Sequence, residues 1–164
     1  MSCFRSTATD AREPMTQCVF CGASSEKGFN VVFEDKDYIV FKDRSPAAEH
    51  HLLVIPRIHV ATVKVLNQAD IPMLRTMKEI GARIFHDLGV PPERQRMGFH
   101  IPPFNSVNHL HLHLHALPYR GILKLEFPIS KGKNGKSKGF SWFVEVDQAI
   151  EILQQGKTIG VFPC

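Results

Sequence analysis

The chain has no apolar run approaching the roughly 20 residues that span a bilayer. Its opening stretch, MSCFRSTATDAREPM, lacks the apolar segment of a secretion signal. Both gaps argue against a membrane or exported protein. Residues 1–16 read as a mobile tail, and the expected compartment is the cytoplasm, with the nucleus or an organelle as the other candidates. Cysteine is scarce: Cys3, Cys18, Cys21 and Cys164 are the only four in 164 residues. That is too few for a disulfide scaffold of this size, and the thiols are expected to be reduced. No internal repeat or composition break divides the chain, so residues 17–164 are expected to form a single domain.

What is present is enough apolar residue, 43% of the chain, for a real core. The net charge of +4 gives a mild preference for anionic ligands. "VVFEDKDYIVFKD" reads as a hairpin with a charged turn at 34–37. "HLLVIP" (51–56) is an apolar strand stopped by Pro56. Asp70, with Pro72 just inside, starts the best helix, striped by Ile71, Leu74, Met77, Ile84, Phe85 and Leu88 and ended at Gly89. "RMGFHI" (96–101) is a strand, "PPFNS" turns the chain, and Pro118 ends the strand after it. "SKGKNGKSKG" (130–139) reads as a flexible basic loop, and Asp147 as the cap of a last short helix. Strands, helix, strands, helix argue for an α+β protein around an antiparallel sheet of about five strands, with one long and one short helix.

The chemistry concentrates in "HLHLHLHALPY". His109, His111, His113 and His115 alternate with leucines, the period-two signature of a half-buried strand. The leucines would face the core and the imidazoles the other side, with same-face neighbours about 7 Å apart. A neutral imidazole is a good nucleophile toward phosphorus near neutral pH. Its second nitrogen must be held by an acceptor, so that the attacking lone pair points outward. A neighbouring imidazole can then hold the phosphoryl oxygens as charge builds up, and an outlying one can protonate the leaving group. The plainer reading is a strand whose polar face happens to be histidine. Another is a catalytic metal site on His111 and His113.

"NSVNHLHLHLHALP" resembles the signature of the histidine triad nucleotide-binding superfamily: a serine, then three residues later histidine-apolar-histidine-apolar-histidine. "FKDRSPAAEHHLLVIPRIH" is similar to the second block of that family, and "CVFC" at 18–21 to its N-terminal Cys-x-x-Cys. "GFHIPPFNSVNHLHLH" resembles the third, Hint-like branch of plants and animals. Together these blocks cover roughly residues 17 to 119.

Two registers of the triad are open, because starting at His111 also fits the pattern. Ser106 lies three residues before His109, which favours His109, His111 and His113. The resemblance then implies His111 as nucleophile, His113 and Ser106 as phosphate contacts, and His51 on the leaving-group side. His115 is an extra histidine at the strand exit. Asp43 matches the carboxylate that accepts both ribose hydroxyls; its plainer reading is a turn residue before Ser45-Pro46. Phe41 and Leu53 match positions lining the base slot, or are ordinary core. His100 stands where many members place an asparagine near the phosphate, or is a solvated strand-end histidine, as His86 is on the long helix.

Cys18 and Cys21 have zinc-ligand spacing. The resemblance implies His59 and His109 as the other two ligands of one structural zinc per chain. Free thiols are the other reading of the pair. No organic cofactor is expected. The implied activity is a hydrolase that cleaves an adenosine 5′-phosphoramidate or adenylyl sulfate at the α-phosphorus and releases AMP. The substrate would be a purine nucleotide, the protein a homodimer through the long helix and a central strand, and nucleic acid no partner. Alternatives are a zinc-stabilised nucleotide-binding or interaction module with little turnover, and a deadenylase of adenylated nucleic-acid ends. The basic loop at 130–139 is either a solvated tip or a phosphate contact.

Overall fold

A computed structural model describes residues 17–164; the expected tail, residues 1–16, and Cys3 lie outside the described residues. The chain forms β1 (Val31–Glu34), β2 (Tyr38–Lys42), β3 (His51–Pro56), α1 (Ile71–Asp87), β4 (Gln95–His100), β5 (Leu112–Ala116), β6 (Phe143–Glu145) and α2 (Val146–Gln154). The strands make one six-stranded sheet in the order β1-β2-β3-β5-β4-β6, antiparallel at every pairing. The hairpin and the long helix fall where hydrophobic periodicity puts them. The sixth strand, β6, exceeds the expected five; three residues are too short to show a period.

Alternation along the strands splits the sheet into two faces. Val40, Leu52, Val54, Leu112 and Leu114 pack with Leu74, Met77, Ile80, Ile84 and Phe85 of α1 in the main core. Gly81 lets the helix come that close: a Cβ there would lie 2.7 Å from Leu114 Cδ2. Ile39, Phe41, Leu53 and Ile55 point to the other face and form a second apolar cluster with Phe20 and Phe29.

That second face is covered rather than open. Tyr119, Phe127 and Phe143 pack over the histidines. His109, His111, His113 and His115 are all buried, although they face away from the main core as expected. Only the last two lie within β5. Leu110 is held separately, its N–H donating to the Val60 carbonyl at 2.6 Å.

Asp70 stands at the N-cap of α1 with Pro72 just inside, as expected, but its side chain bonds outside the helix: its carboxylate accepts the Asn67 N–H, closing a capping box on the short turn before the helix. Two further expectations are corrected. Glu145, not Asp147, caps α2, in a box with Gln148; Asp147 is exposed and pairs with Lys78 at 2.6 Å. The ends of the 130–139 segment pair through Lys131 and Lys138. Lys138 is buried, its Nζ donating to the Gly139 and Val161 carbonyls.

β6 pairs with the Gly98–His100 half of β4, and α2 packs on α1. Among the described residues no helix is long and apolar enough to cross a membrane.

Candidate active site

β3 and β5 pair so that His51 lies opposite His115 and Leu53 opposite His113. The pleat therefore gathers His51, His113 and His115 on one face, with His111 and His109 continuing the row and His100 arriving from β4. The row holds two distinct groups.

The first is Cys18, Cys21, His59 and His109, whose ligand atoms all lie within 4.8 Å of one another. Cys18 Sγ is 3.4 Å from His109 Nδ1, Cys21 Sγ 3.2 Å from His59 Nδ1 and 3.6 Å from His109 Nδ1. A tetrahedron with bonds of about 2.0–2.3 Å has edges of roughly 3.3–3.8 Å. His109 Nε2–H donates to the Pro56 carbonyl at 2.8 Å, which leaves Nδ1 as the lone pair aimed at the sulfurs. This group can hold a metal ion.

The second group is a hydrogen-bonded row of imidazoles with fixed direction. The Ala47 N–H donates to His51 Nδ1 at 3.1 Å, so the neutral His51 carries its proton on Nε2. That Nε2–H donates to His113 Nδ1 at 2.8 Å. His113 then carries its proton on Nε2 and donates to His100 Nδ1 at 3.2 Å. His100 Nε2–H donates to the Glu126 carbonyl at 2.9 Å. A backbone donor at one end and a backbone acceptor at the other leave one tautomer for each ring. His51, His113 and His115 also lie close enough to be considered for a metal. Ligation by His51 Nε2 would put a proton on its Nδ1, facing the Ala47 N–H, so the bonding favours the imidazole chain over a metal cage.

Burial is the first cause of every histidine shift here. It lowers His51 to about 4, against the partial pull of Asp43, and lowers His115 to about 2. His113 is pushed well below 6.5 by burial and its neighbouring imidazoles, and His100 and His111 are lowered too. The rings are thus neutral near pH 7.

His111 stands apart from the row. Its Nδ1–H donates to the His109 carbonyl at 2.6 Å, and among the described residues its Nε2 has no hydrogen-bond partner. His111 and His109, with His100, Asn105 and Val107, line a small cleft.

The other expected residues scatter more widely. Asp43 Oδ1 accepts the Ser45 N–H at 2.7 Å, so it is a turn residue as well; its Oδ2 lies 3.6 Å from His51 Nε2. Phe41 and Leu53 pair across β2 and β3 inside the second apolar cluster. Ser106 is exposed and makes no hydrogen bond to the histidines. His115 bonds Tyr119 Oη through Nδ1 at 3.2 Å, and among the described residues its buried Nε2 has no partner. His86 is exposed, as expected.

Sequence reasoning missed the aromatic covers. Phe20 sits edge-on to His111 at 5.7 Å and to Phe41 at 5.3 Å, and Phe29 adds to it. Its position inside Cys-x-x-Cys was the available signal. Tyr119, Phe127 and Phe143 carried none.

An antiparallel sheet bearing alternating histidines beside a Cys/His cluster defines the class of a histidine triad protein. A family model described as "Scavenger mRNA decapping enzyme C-term binding" matches residues 17–125. The chain is 33% identical over 162 residues to an adenosine 5′-monophosphoramidase HINT3 of Danio rerio, covering 96% of each. It is 37% identical to a bifunctional adenosine 5′-phosphosulfate phosphorylase/adenylylsulfatase HINT4 of Arabidopsis thaliana, covering 84% of this chain and 91% of that one. A solved HIT family hydrolase from Clostridium thermocellum superposes with a TM-score of 0.58 at 30% identity, covering 65% of this chain and 96% of that one. The chain belongs to the histidine triad (HIT) family, with high-coverage similarity to its Hint-like members.

Proposed function

We propose that this protein is a nucleotide hydrolase that cleaves adenosine 5′-phosphate derivatives at the α-phosphorus through a nucleotidyl-His111 intermediate and releases AMP. The observation that carries the reading is the state of His111. With Nδ1–H held by the His109 carbonyl, its lone pair lies on an Nε2 that no other described residue engages. In the first step Nε2 bonds to phosphorus and the bond to the leaving group breaks. An amine departs with a proton delivered by a water molecule in the cleft, leaving hydroxide to the solvent; sulfate departs as an anion and needs none. In the second step water attacks the same phosphorus and gives up one proton to the solvent, the P–N bond to His111 breaks and AMP leaves. The relatives' names, phosphoramidase and adenylylsulfatase, cover these two leaving groups.

The neighbours take roles that fit their bonding. The Nε2–H of His113, which faces His100 Nδ1, is a donor that a phosphoryl oxygen can take over. His51 fixes that tautomer and stands on the leaving-group side, and Ser106 would bring a hydroxyl to the phosphate from its exposed loop. Asp43 holds the ribose hydroxyls, and Phe41 and Leu53, with Phe20 and Phe29, form the apolar wall for a purine. Cys18, Cys21, His59 and His109 hold one zinc ion, whose chemistry is structural: it ties the N-terminal loop to the sheet. Thiolate ligands suit a reducing compartment such as the cytoplasm.

The test is AMP release from adenosine 5′-phosphoramidate and from adenylyl sulfate, followed by chromatography. Turnover of either by the wild type, and of neither by His111→Ala, supports the reading. Equal, negligible release from both proteins would leave a nucleotide-binding or interaction module instead.

A further inference from the structure

The metal cluster and the imidazole proposed as nucleophile share a residue and a loop. His109 gives its ring to the cluster and its carbonyl to His111. Phe20 lies between the two cysteines in sequence, and its ring meets His111, Phe41 and Phe29 edge-on. It also meets His109 at 6.0 Å. The loop is not held by the sheet ladder. Its backbone bonds, Cys21 N–H to Cys18 O and Ala23 N–H to Phe20 O, join it to itself. Neighbouring Val19 is 61% exposed. The placement of Phe20 therefore depends on side chains: its own packing on Phe29 and Phe41, and the two flanking sulfurs drawn to His59 and His109.

We infer that Phe20 is a positioning residue for His111, and that the four-ligand cluster acts on the reaction by holding Phe20 and the His109 carbonyl against that imidazole. The inference rests on the reading of His111 as nucleophile and deepens it. A ring edge against the imidazole limits its rotation, and the carbonyl fixes its tautomer; together they keep the Nε2 lone pair in one direction. Without them His111 can turn, and its Nδ1 and Nε2 can exchange the proton. The same phenyl ring closes the apolar wall beside Phe41. The cluster is thus more than a staple, even though no metal is assigned to touch the phosphate.

Two arms test this on the full chain. In the first, Phe20→Ala and Phe20→Leu are purified with zinc content and melting temperature recorded. Phe20→Ala should keep its zinc and lower the single-turnover rate at saturating substrate by roughly tenfold, the scale of one lost aromatic contact. Phe20→Leu should recover part of that loss. A zinc-loaded Phe20→Ala with an unchanged rate overturns the inference.

The second arm does not use turnover. NMR relaxation of the His111 ring should show one rigid orientation in wild type and added ring motion in zinc-loaded Phe20→Ala, while the Nδ1–H tautomer fixed by the His109 carbonyl is kept in both. An equally rigid His111 ring in both proteins overturns the inference. If wild type releases no AMP yet the His111 ring loosens as expected, the hydrolase reading fails while the positioning of His111 by Phe20 stands.

Discussion

His111 Nδ1 lies 2.6 Å from the carbonyl oxygen of His109, two residues before it in the chain. This short-range bond makes the two histidines unequal: one turns its ring to the cysteines, and the other keeps a nitrogen free. Removing the free nitrogen should matter most. His111→Ala is expected to lower the single-turnover rate by at least about 10³-fold, as loss of a nucleophile does. His113→Ala should cost less, and His115→Phe little, because His115 faces Tyr119 and Phe127. Rapid-quench rates of the three variants check this ordering.

The purified protein should carry about one zinc per chain, since the described residues offer one four-ligand site. Cys18→Ser with Cys21→Ser should abolish that zinc and lower the melting temperature. Metal analysis and calorimetry on the same samples check both outcomes. A metal-free preparation of equal stability would contradict the assignment.

Stability should fall as pH falls from about 6.5. In the folded chain burial holds His51 down to about 4 and His115 to about 2, while in the unfolded chain both titrate near 6.5. Between these values the unfolded state binds more protons, so acid favours unfolding. At pH 5 each of these histidines that stays neutral should cost about 2 kcal/mol relative to pH 7.5. The effect is absent above the unfolded value and saturates below the folded one. Denaturant titrations at pH 7.5, 6 and 5 measure it, and His115→Phe should flatten the curve.

Asp43 has one carboxylate oxygen bonded to the Ser45 amide and the other near His51. A ribose hydroxyl on the second oxygen would make a charge-assisted bond. Wild type should prefer AMP to dAMP by roughly tenfold, or about 1.4 kcal/mol. Asp43→Asn should narrow that gap while leaving the melting temperature nearly unchanged. Calorimetric titration of both nucleotides into both proteins decides the point.

The parts of this site that were legible in the sequence share one property: they are local. The leucine–histidine alternation and Cys18-x-x-Cys21 lie within a few residues. The β1–β2 hairpin and α1 could be read from their periodicity for the same reason. The imidazole chain was not legible, because His51 and His113 are 62 positions apart and the tautomers depend on Ala47 and Glu126 backbone atoms. Nor was the cover over the histidines. It is supplied by Tyr119, Phe127 and Phe143, in segments whose strand is only three residues long and whose neighbours form no regular period. The α2 cap was misplaced onto Asp147 because Glu145 and Gln148 cap through a box that an acidic residue in the first turn imitates.

The central claim is that His111 Nε2 forms a bond to phosphorus. The most direct measurement is a millisecond reaction of the full chain with adenosine 5′-phosphoramidate, stopped in alkaline denaturant to preserve a P–N bond, followed by peptide mapping of the adenylylated residue. The account predicts an adenylyl group on His111 that appears before AMP and decays as AMP accumulates. An adduct on His113, or AMP formed at the same rate by His111→Ala, would contradict it.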